Sequence, residues 1–262
     1  MYDQRIVPRL FVKSRGEQTT KLSLMLTKAP RKCVVRLTGG CGNMSATDAE
    51  GLYDLYTQAL SGFDGAIIFG GTRMVSRDNY DTIIPGITEI PSRMREFCPN
   101  MIVLGVIPKT EDLGLDPDLG LIVSSEPDKP FVTVVHPEQD IVLVVQTSVD
   151  DKEIWDAEFY ECLRITKDLR DYGSFSSVLI SYNGGSVTER EILETAKNGL
   201  PVILIKGSGR KTDEYAANTD FLSTYRSNVA VVEKDPIDLR MKLSEFGIMP
   251  RQRLTLVGHQ TA

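Results

Sequence analysis

Short apolar runs recur along the chain, and each is closed by turn-forming residues. Cys33-Val34-Val35-Arg36-Leu37 runs into Thr38-Gly39-Gly40, Gly65-Ala66-Ile67-Ile68-Phe69 into Gly70-Gly71, and residues 101–107 into Pro108. Residues 141–145 end near Gln146-Thr147, 177–182 at Asn183-Gly184-Gly185, and 201–205 at Lys206-Gly207-Ser208-Gly209; 228–232 close the series. Runs this short, rich in Val and Ile and without polar alternation, suit strands buried on both faces of a parallel sheet. Between them the period changes. Residues 45–60 place Leu52, Leu55, Tyr56, Ala59 and Leu60 at helical spacing, and residues 155–169 do so with Trp155, Phe159, Cys162, Leu163, Ile165 and Leu169. Residues 188–197 make a shorter helical stretch stopped by Asn198-Gly199 and Pro201. The alternation predicts an α/β fold: a Rossmann-like, doubly wound, mostly parallel sheet of about seven strands.

Two regions break the alternation. Residues 1–30 are mixed and polar and read as an N-terminal arm or edge element. Residues 110–138 hold Leu121-Ile122-Val123 and Phe131-Val132-Thr133-Val134-Val135 on either side of Glu126-Pro127-Asp128-Lys129-Pro130, which predicts an inserted β-hairpin.

Composition narrows the class. A chain of 262 residues can bury a full core, and 41% hydrophobic with 25% charged residues excludes wholesale disorder. A net charge of −6 lacks the basic footprint of a nucleic-acid binder. No apolar run approaches the ~18–20 residues of a membrane span, and the polar start carrying Pro8 is not a signal peptide. Cys33, Cys41, Cys98 and Cys162 are scattered, and the two histidines are His136, before Pro137 in a loop, and His259, in a polar tail. This argues against a metal site and against His-based catalysis, and for reduced cysteines in the cytoplasm.

The candidate chemistry lies in glycine. In open α/β sheets ligands bind beyond the carboxyl ends of the strands. Four strands here end in glycine-rich turns: Thr38-Gly39-Gly40-Cys41-Gly42, Gly70-Gly71-Thr72-Arg73, Asn183-Gly184-Gly185-Ser186 and Gly207-Ser208-Gly209-Arg210. Glycine lets the backbone approach a ligand, and a following helix N-terminus favours phosphate. Any one of these could be only a tight connection. Four together, two with an adjacent Arg, favour a phosphate-bearing ligand. None fits the P-loop pattern, and none fits G-x-G-x-x-G cleanly, so P-loop ATP hydrolysis and ordinary dehydrogenase chemistry are disfavoured.

The order of these motifs resembles the SLOG superfamily, which includes the LOG-type nucleotide phosphoribohydrolases and the cytosolic N-terminal domains of melastatin-type TRP channels. The channel branch is the nearer match. Its T-G-G turn is matched by Thr38-Gly39-Gly40, and its G-A-W-I-hydrophobic-x-G-G strand by residues 65–71 followed by Thr72. Its later G-G with a Thr three residues on is matched by Gly184-Gly185 and Thr188. Its P-V-V-V-x-x-G-S-G-R is matched by residues 201–210, the most specific piece of a resemblance that spans about residues 31–225.

The resemblance implies a cleft for an adenine nucleotide such as ADP-ribose or another NAD-derived ligand, with Arg210 on phosphate or ribose. It also implies an aromatic stacked on adenine, matched by Trp155, and a further Arg, for which Arg164 is the candidate although Cys162 falls nearer the aligned position. Trp155 could equally be core, Arg164 an exposed helix arginine, and Arg73 a solvated loop residue. The expected organisation is an arm or edge element at 1–30, a SLOG-like nucleotide-binding domain at 31–235, and a C-terminal helix and tail at 236–262.

The LOG enzymes carry P-G-G-x-G-T-x-x-E, whose Glu assists cleavage of an N-glycosidic bond, together with an Arg on the preceding helix. Here the string is Asn183-Gly184-Gly185-Ser186-Val187-Thr188-Glu189-Arg190-Glu191, lacking the Pro and the third Gly. Glu191 stands where the catalytic carboxylate would stand, and only Arg164 or Arg170 could supply the Arg. The bland reading is a capping box, with Thr188 as N-cap and Glu191 three residues on, or Ser186 and Glu189 one register earlier. The reading adopted is a ligand sensor without cofactor or metal, acting as a homo-oligomer or through a separate effector protein. The alternatives are a LOG-like hydrolase and a scaffold with a vestigial site.

Overall fold

The computed structural model describes residues 9–13, 26, 28–40, 44–109, 121–122, 130–147 and 155–250. Cys41, Gly42, the hairpin turn at 126–129, His259 and the expected tail beyond 250 lie outside the described residues.

Eight strands form one parallel sheet: β1 (Arg9–Lys13), β2 (Cys33–Gly39), β3 (Ala66–Gly70), β5 (Ile102–Lys109), β8 (Ile141–Gln146), β9 (Ser176–Tyr182), β10 (Val202–Ile205) and β11 (Val229–Val232). Their spatial order is β1-β8-β5-β3-β2-β9-β10-β11. The seven apolar runs are seven of these strands, and β1 pairs with β8 at the edge. The strands read as continuous apolar runs because helices cover both faces. One face packs on α1 (Ala46–Ala59), α2 (Ile90–Arg95) and α7 (Pro236–Glu245), burying Leu52, Tyr56, Met94 and Leu239. The other packs on α3 (Asp156–Gly173) through Ala157, Cys162, Ile165 and Leu169. Further along that face α4 (Ser186–Lys197) and α6 (Thr219–Thr224) bury Ile192, Ala196 and Phe221, with α5 (Arg210–Ala216) beside them.

A second, three-stranded sheet is antiparallel, in the order β4 (Thr72–Ser76), β7 (Phe131–Val135), β6 (Leu121–Ile122). The expected hairpin is therefore present as β6 and β7, but it has acquired β4. Residues 72–76 follow Gly70-Gly71 not as a turn leading to a helix but as a strand. Among the described residues, no helix is long and apolar enough to cross a membrane.

The chain order fixes where a ligand can enter. From β2 the strands step outward through β3, β5 and β8; the chain then returns across the sheet and continues from β9 to β11 on the other side of β2. The β2–β9 junction is thus the point where the winding reverses, and in open sheets the crevice forms there, outside the carboxyl ends.

Candidate functional site

A cavity of about 170 Å³ opens at that junction. The carboxyl end of β2 contributes Thr38 and Gly39, the end of β3 contributes Gly70, and Thr72 begins β4. Trp155, at the N-cap of α3, and Glu158, one turn on, line it from one side. Val187, Thr188 and Glu191 of α4 line it from the other, and Ile87 and Thr88 close it.

The floor is charged. Arg36 is 1% exposed in the middle of central strand β2. A guanidinium cannot stay there unpaired. Its Nη2 donates to Glu191 Oε1 at 3.1 Å and its Nη1 to Thr195 Oγ1 at 3.1 Å. Thr38 donates its hydroxyl to Glu191 Oε2. Burial raises the Glu191 carboxyl above the usual range, and Arg36 and Thr38 pull it back. Among the described residues Glu158 has no such partner. Burial, and then the charge of Glu191, push its carboxyl well above the usual carboxylate range.

These side chains arise from how α4 starts. Its N-cap is Gly185, with no side-chain cap, and Ser186 is the first helical residue. Thr188 therefore lies inside the first turn and caps nothing. Both capping-box registers are overturned, and Glu191, three residues deeper than the box requires, lines the cleft. Glu189 accepts instead from the Tyr215 hydroxyl at 3.1 Å, and Arg190 reaches Asp156 of α3 at 2.7 Å.

Of the residues expected from the sequence, Thr38, Gly39, Gly70, Thr72, Trp155, Thr188 and Glu191 line one cavity. Gly39 and Gly70 also have packing reasons. A methyl on Gly39 would lie 2.2 Å from Tyr182 O, and one on Gly70 2.3 Å from a Glu158 oxygen. Gly40, Gly71, Gly184 and Gly185 lie outside the lining. Gly184 is at φ +91°, and a Cβ there would meet the Thr188 side chain at 2.3 Å.

Two arginines are placed elsewhere. Arg73 lies in β4, held by both oxygens of Glu89 at 2.8 Å and by Ser92 at 2.9 Å. Arg164 spends its guanidinium on Glu161 and Asp168 within α3. Neither lines the cavity, so the structure does not support the expectation that they contact the ligand.

The Gly207-Ser208-Gly209 turn needs a correction of a different kind. The N–H groups of Gly207 and Gly209 both donate to Asp213, at 2.7 and 2.9 Å, and the Ser208 hydroxyl accepts from Asn183 N at 2.9 Å. The donors expected to cradle phosphate are used inside the protein. What the turn presents is Arg210, exposed and at φ +49°. Its Nη2 lies 3.1 Å from where a methyl on Gly185 would sit, over the uncapped start of α4. Among the described residues Arg210 makes no hydrogen bond or ion pair.

Sequence reasoning missed Arg36 and Glu158. A lone Arg inside an otherwise apolar buried run was the signal for the first. Helical spacing of three from Trp155, which sets both on one face, was the signal for the second.

Fold and site together define a Rossmann-like α/β protein with a cleft at the winding reversal of its sheet. Residues 121–242, which carry Trp155, Glu158, Glu191 and Arg210, match the family model described as SLOG in TRPM, prokaryote. A search of curated proteins gives no match. Among solved structures the chain is similar to the X-ray structure of TM1055, at 20% identity, covering 81% of this chain and 99% of that one, with a TM-score of 0.50. It is also similar to the Moco carrier protein from Chlamydomonas reinhardtii, at 15% identity, 82% and 98% coverage, and a TM-score of 0.50. At these identities the likeness is one of fold.

Proposed function

We propose that the cleft binds a phosphate-bearing nucleotide of the ADP-ribose or NAD-derived class and that the chain acts as a sensor of it. The observation that carries this reading is Arg210. It is an uncommitted guanidinium over the positive end of an uncapped helix, beside a cavity walled by Trp155. Arginine's planar fork takes two phosphate oxygens, and the helix end adds its partial positive charge. The cavity then takes the sugar and base side of the ligand, and the signal passes through self-association or a separate effector.

The test is calorimetric titration with ADP-ribose, NAD and AMP. Arg210→Ala is expected to weaken binding by about 1.5–3 kcal/mol, the worth of a hydrogen bond to a charged group, with the melting temperature of the free protein unchanged. An unaltered affinity would remove Arg210 from the site, and no binding of any of the three would remove the reading.

A LOG-like hydrolase is the second reading, favoured by the burial of Glu191 beside a ribose-sized cavity. Against it, the helix before α4 brings Glu158 and Cys162 to the cavity and none of its arginines, and a LOG enzyme needs one there. Arg164 is held by carboxylates, and Arg170 is engaged with Asp171 and the Asn198 carbonyl. Free adenine or nicotinamide appearing in the same mixtures, and lost in Glu191→Gln, would establish it.

A further inference from the structure

The main sheet ends at β11, which pairs with β10 on one side and with no strand among the described residues on the other. Natural sheets blunt such an edge with Lys, Pro, a bulge or a covering segment. β11 reads Val229-Ala230-Val231-Val232 and matches β10 residue for residue, without a bulge. Its first three residues are only half-buried.

The backbone of this edge is open in a definite pattern. The Asn228 and Val232 carbonyls accept from Val202 N at 2.8 Å and from Lys206 N at 2.9 Å, so the even-numbered residues face β10 and the odd-numbered ones face outward. The Val229 N–H is taken, donating to Tyr225 O at 2.9 Å. The Val229 carbonyl, both groups of Val231 and the Glu233 N–H are left without a backbone partner among the described residues.

We propose that two copies of the chain join along this edge, β11 against β11 and antiparallel, with Val231 of each copy opposite Val231 of the other. That register satisfies every open group. The two Val231 residues exchange both hydrogen bonds, and each Glu233 N–H meets the Val229 carbonyl of the other copy. A slide of two residues either way strands a carbonyl, because the Val229 N–H and the Asp235 N–H that would serve it are already engaged. Val229 and Val231, half-open in one copy, are covered by the other.

Charge favours the same partner. Arg226, exposed ahead of β11, makes no hydrogen bond or ion pair among the described residues. The far end carries Glu233, Asp235 and Asp238 against Lys206 and Lys234. Antiparallel pairing brings each Arg226 towards the acidic end of the other copy, whereas a parallel one would set Arg226 beside Arg226. The edge lies apart from the cleft, and the pairing holds whether or not a nucleotide is bound.

The experiment is sedimentation equilibrium of the full chain, wild type and Val231→Pro, with far-UV circular dichroism of each. Proline is tolerated at an edge position whose N–H faces outward, so the fold is kept while both Val231–Val231 bonds are lost. A wild-type dimer is expected, with a dissociation constant that rises about tenfold or more in Val231→Pro, the worth of two hydrogen bonds. Val231→Cys keeps the test sharp if the proline variant does not fold. Residues in a hydrogen-bonded antiparallel pair lie about 5.5 Å apart at Cα, within disulfide reach. Mild oxidation should therefore cross-link Val231→Cys into dimers and leave both wild type and Tyr172→Cys, at an 88% exposed position on α3, uncross-linked. A wild type that stays monomeric, a folded Val231→Pro as tightly dimeric as wild type, or a Val231→Cys cross-linked no faster than Tyr172→Cys would each overturn the proposal.

Discussion

Arg36 interrupts a buried central strand of the sheet, and the stability of the protein depends on its partner. Removing one member of a buried ion pair leaves the other desolvated and unpaired, at about 3–5 kcal/mol, whereas replacing both by apolar groups can be neutral. Glu191→Leu should therefore lower the urea unfolding free energy by about 3–5 kcal/mol, and Arg36→Met combined with Glu191→Leu should recover most of the loss. A cost below about 1 kcal/mol for the single variant would show that Arg36 finds another partner. This residue also marks how far the site could be read from sequence. Glu191 was legible as a carboxylate of interest, because its place in the motif string singled it out. Its place in the cleft was not, because spacing alone cannot tell a helix capped by Thr188 from one that begins after Gly185, and those three residues decide whether the side chain caps the helix or faces the cleft. Glu158 was invisible for the ordinary reason that a Glu on an amphipathic helix is usually in water.

The elements were more legible than the turns between them. The central strands announced themselves because burial on both faces removes polar alternation, and α3 because its apolar stripe keeps helical period. The connection after β3 misled, since Gly70-Gly71 looks like an entry to a helix and is instead a close crossing. A methyl on Gly71 would lie 2.9 Å from the backbone of Gly105, and the chain then leaves the main sheet as β4. The turn before α5 misled differently. Asp213 sits in the first turn of that helix and reaches back to two glycine N–H groups, so a pattern that suggests a phosphate cradle is closed by its own carboxylate. Asp213→Ala should cost about 1–3 kcal/mol, from two amide donors losing a charged acceptor. Amide hydrogen exchange at Gly207 and Gly209 should quicken in the variant, and unchanged exchange at both would contradict the arrangement.

At the scale of the molecule, the second sheet is anchored by a buried neutral histidine. His136 is fully buried after β7, where its Nδ1 accepts from Glu138 N at 3.1 Å and Nε2 faces Ser92 at 3.3 Å. Burial, then the charges of Arg73 and Arg95, lower its pKa from 6.5 to about 3. The unfolded chain thus takes up this proton first as the pH falls. The stability linked to His136 is complete above about 6.5 and is lost progressively as the pH falls towards about 3. Urea midpoints measured from pH 7 to pH 4 should fall, and fall less steeply in His136→Asn; parallel curves would show that the histidine is not the group responsible. The raised carboxyls of Glu158, Glu89 and Glu191 work in the opposite sense, favouring the folded state at low pH, so the comparison of the two curves, not the wild-type slope alone, isolates His136.

The ion pair under the cleft joins positions 155 residues apart in the chain, and β2 meets β9 in full register from Cys33 opposite Ser176 to Gly39 opposite Tyr182. Neither side of the junction holds a finished binding surface: β2 and β3 bring Thr38, Phe69 and Gly70, and Trp155 and the carboxylates Glu158 and Glu191 arrive with the later half of the chain. Closing so long a loop is an entropic step taken before its contacts reward it, which makes such pairings slow. Competence for a ligand is then acquired at the end of folding, in the same event that joins the two halves of the sheet, and a nucleotide captured there would act as a clasp on the seam, slowing its reopening more than it hastens its closure.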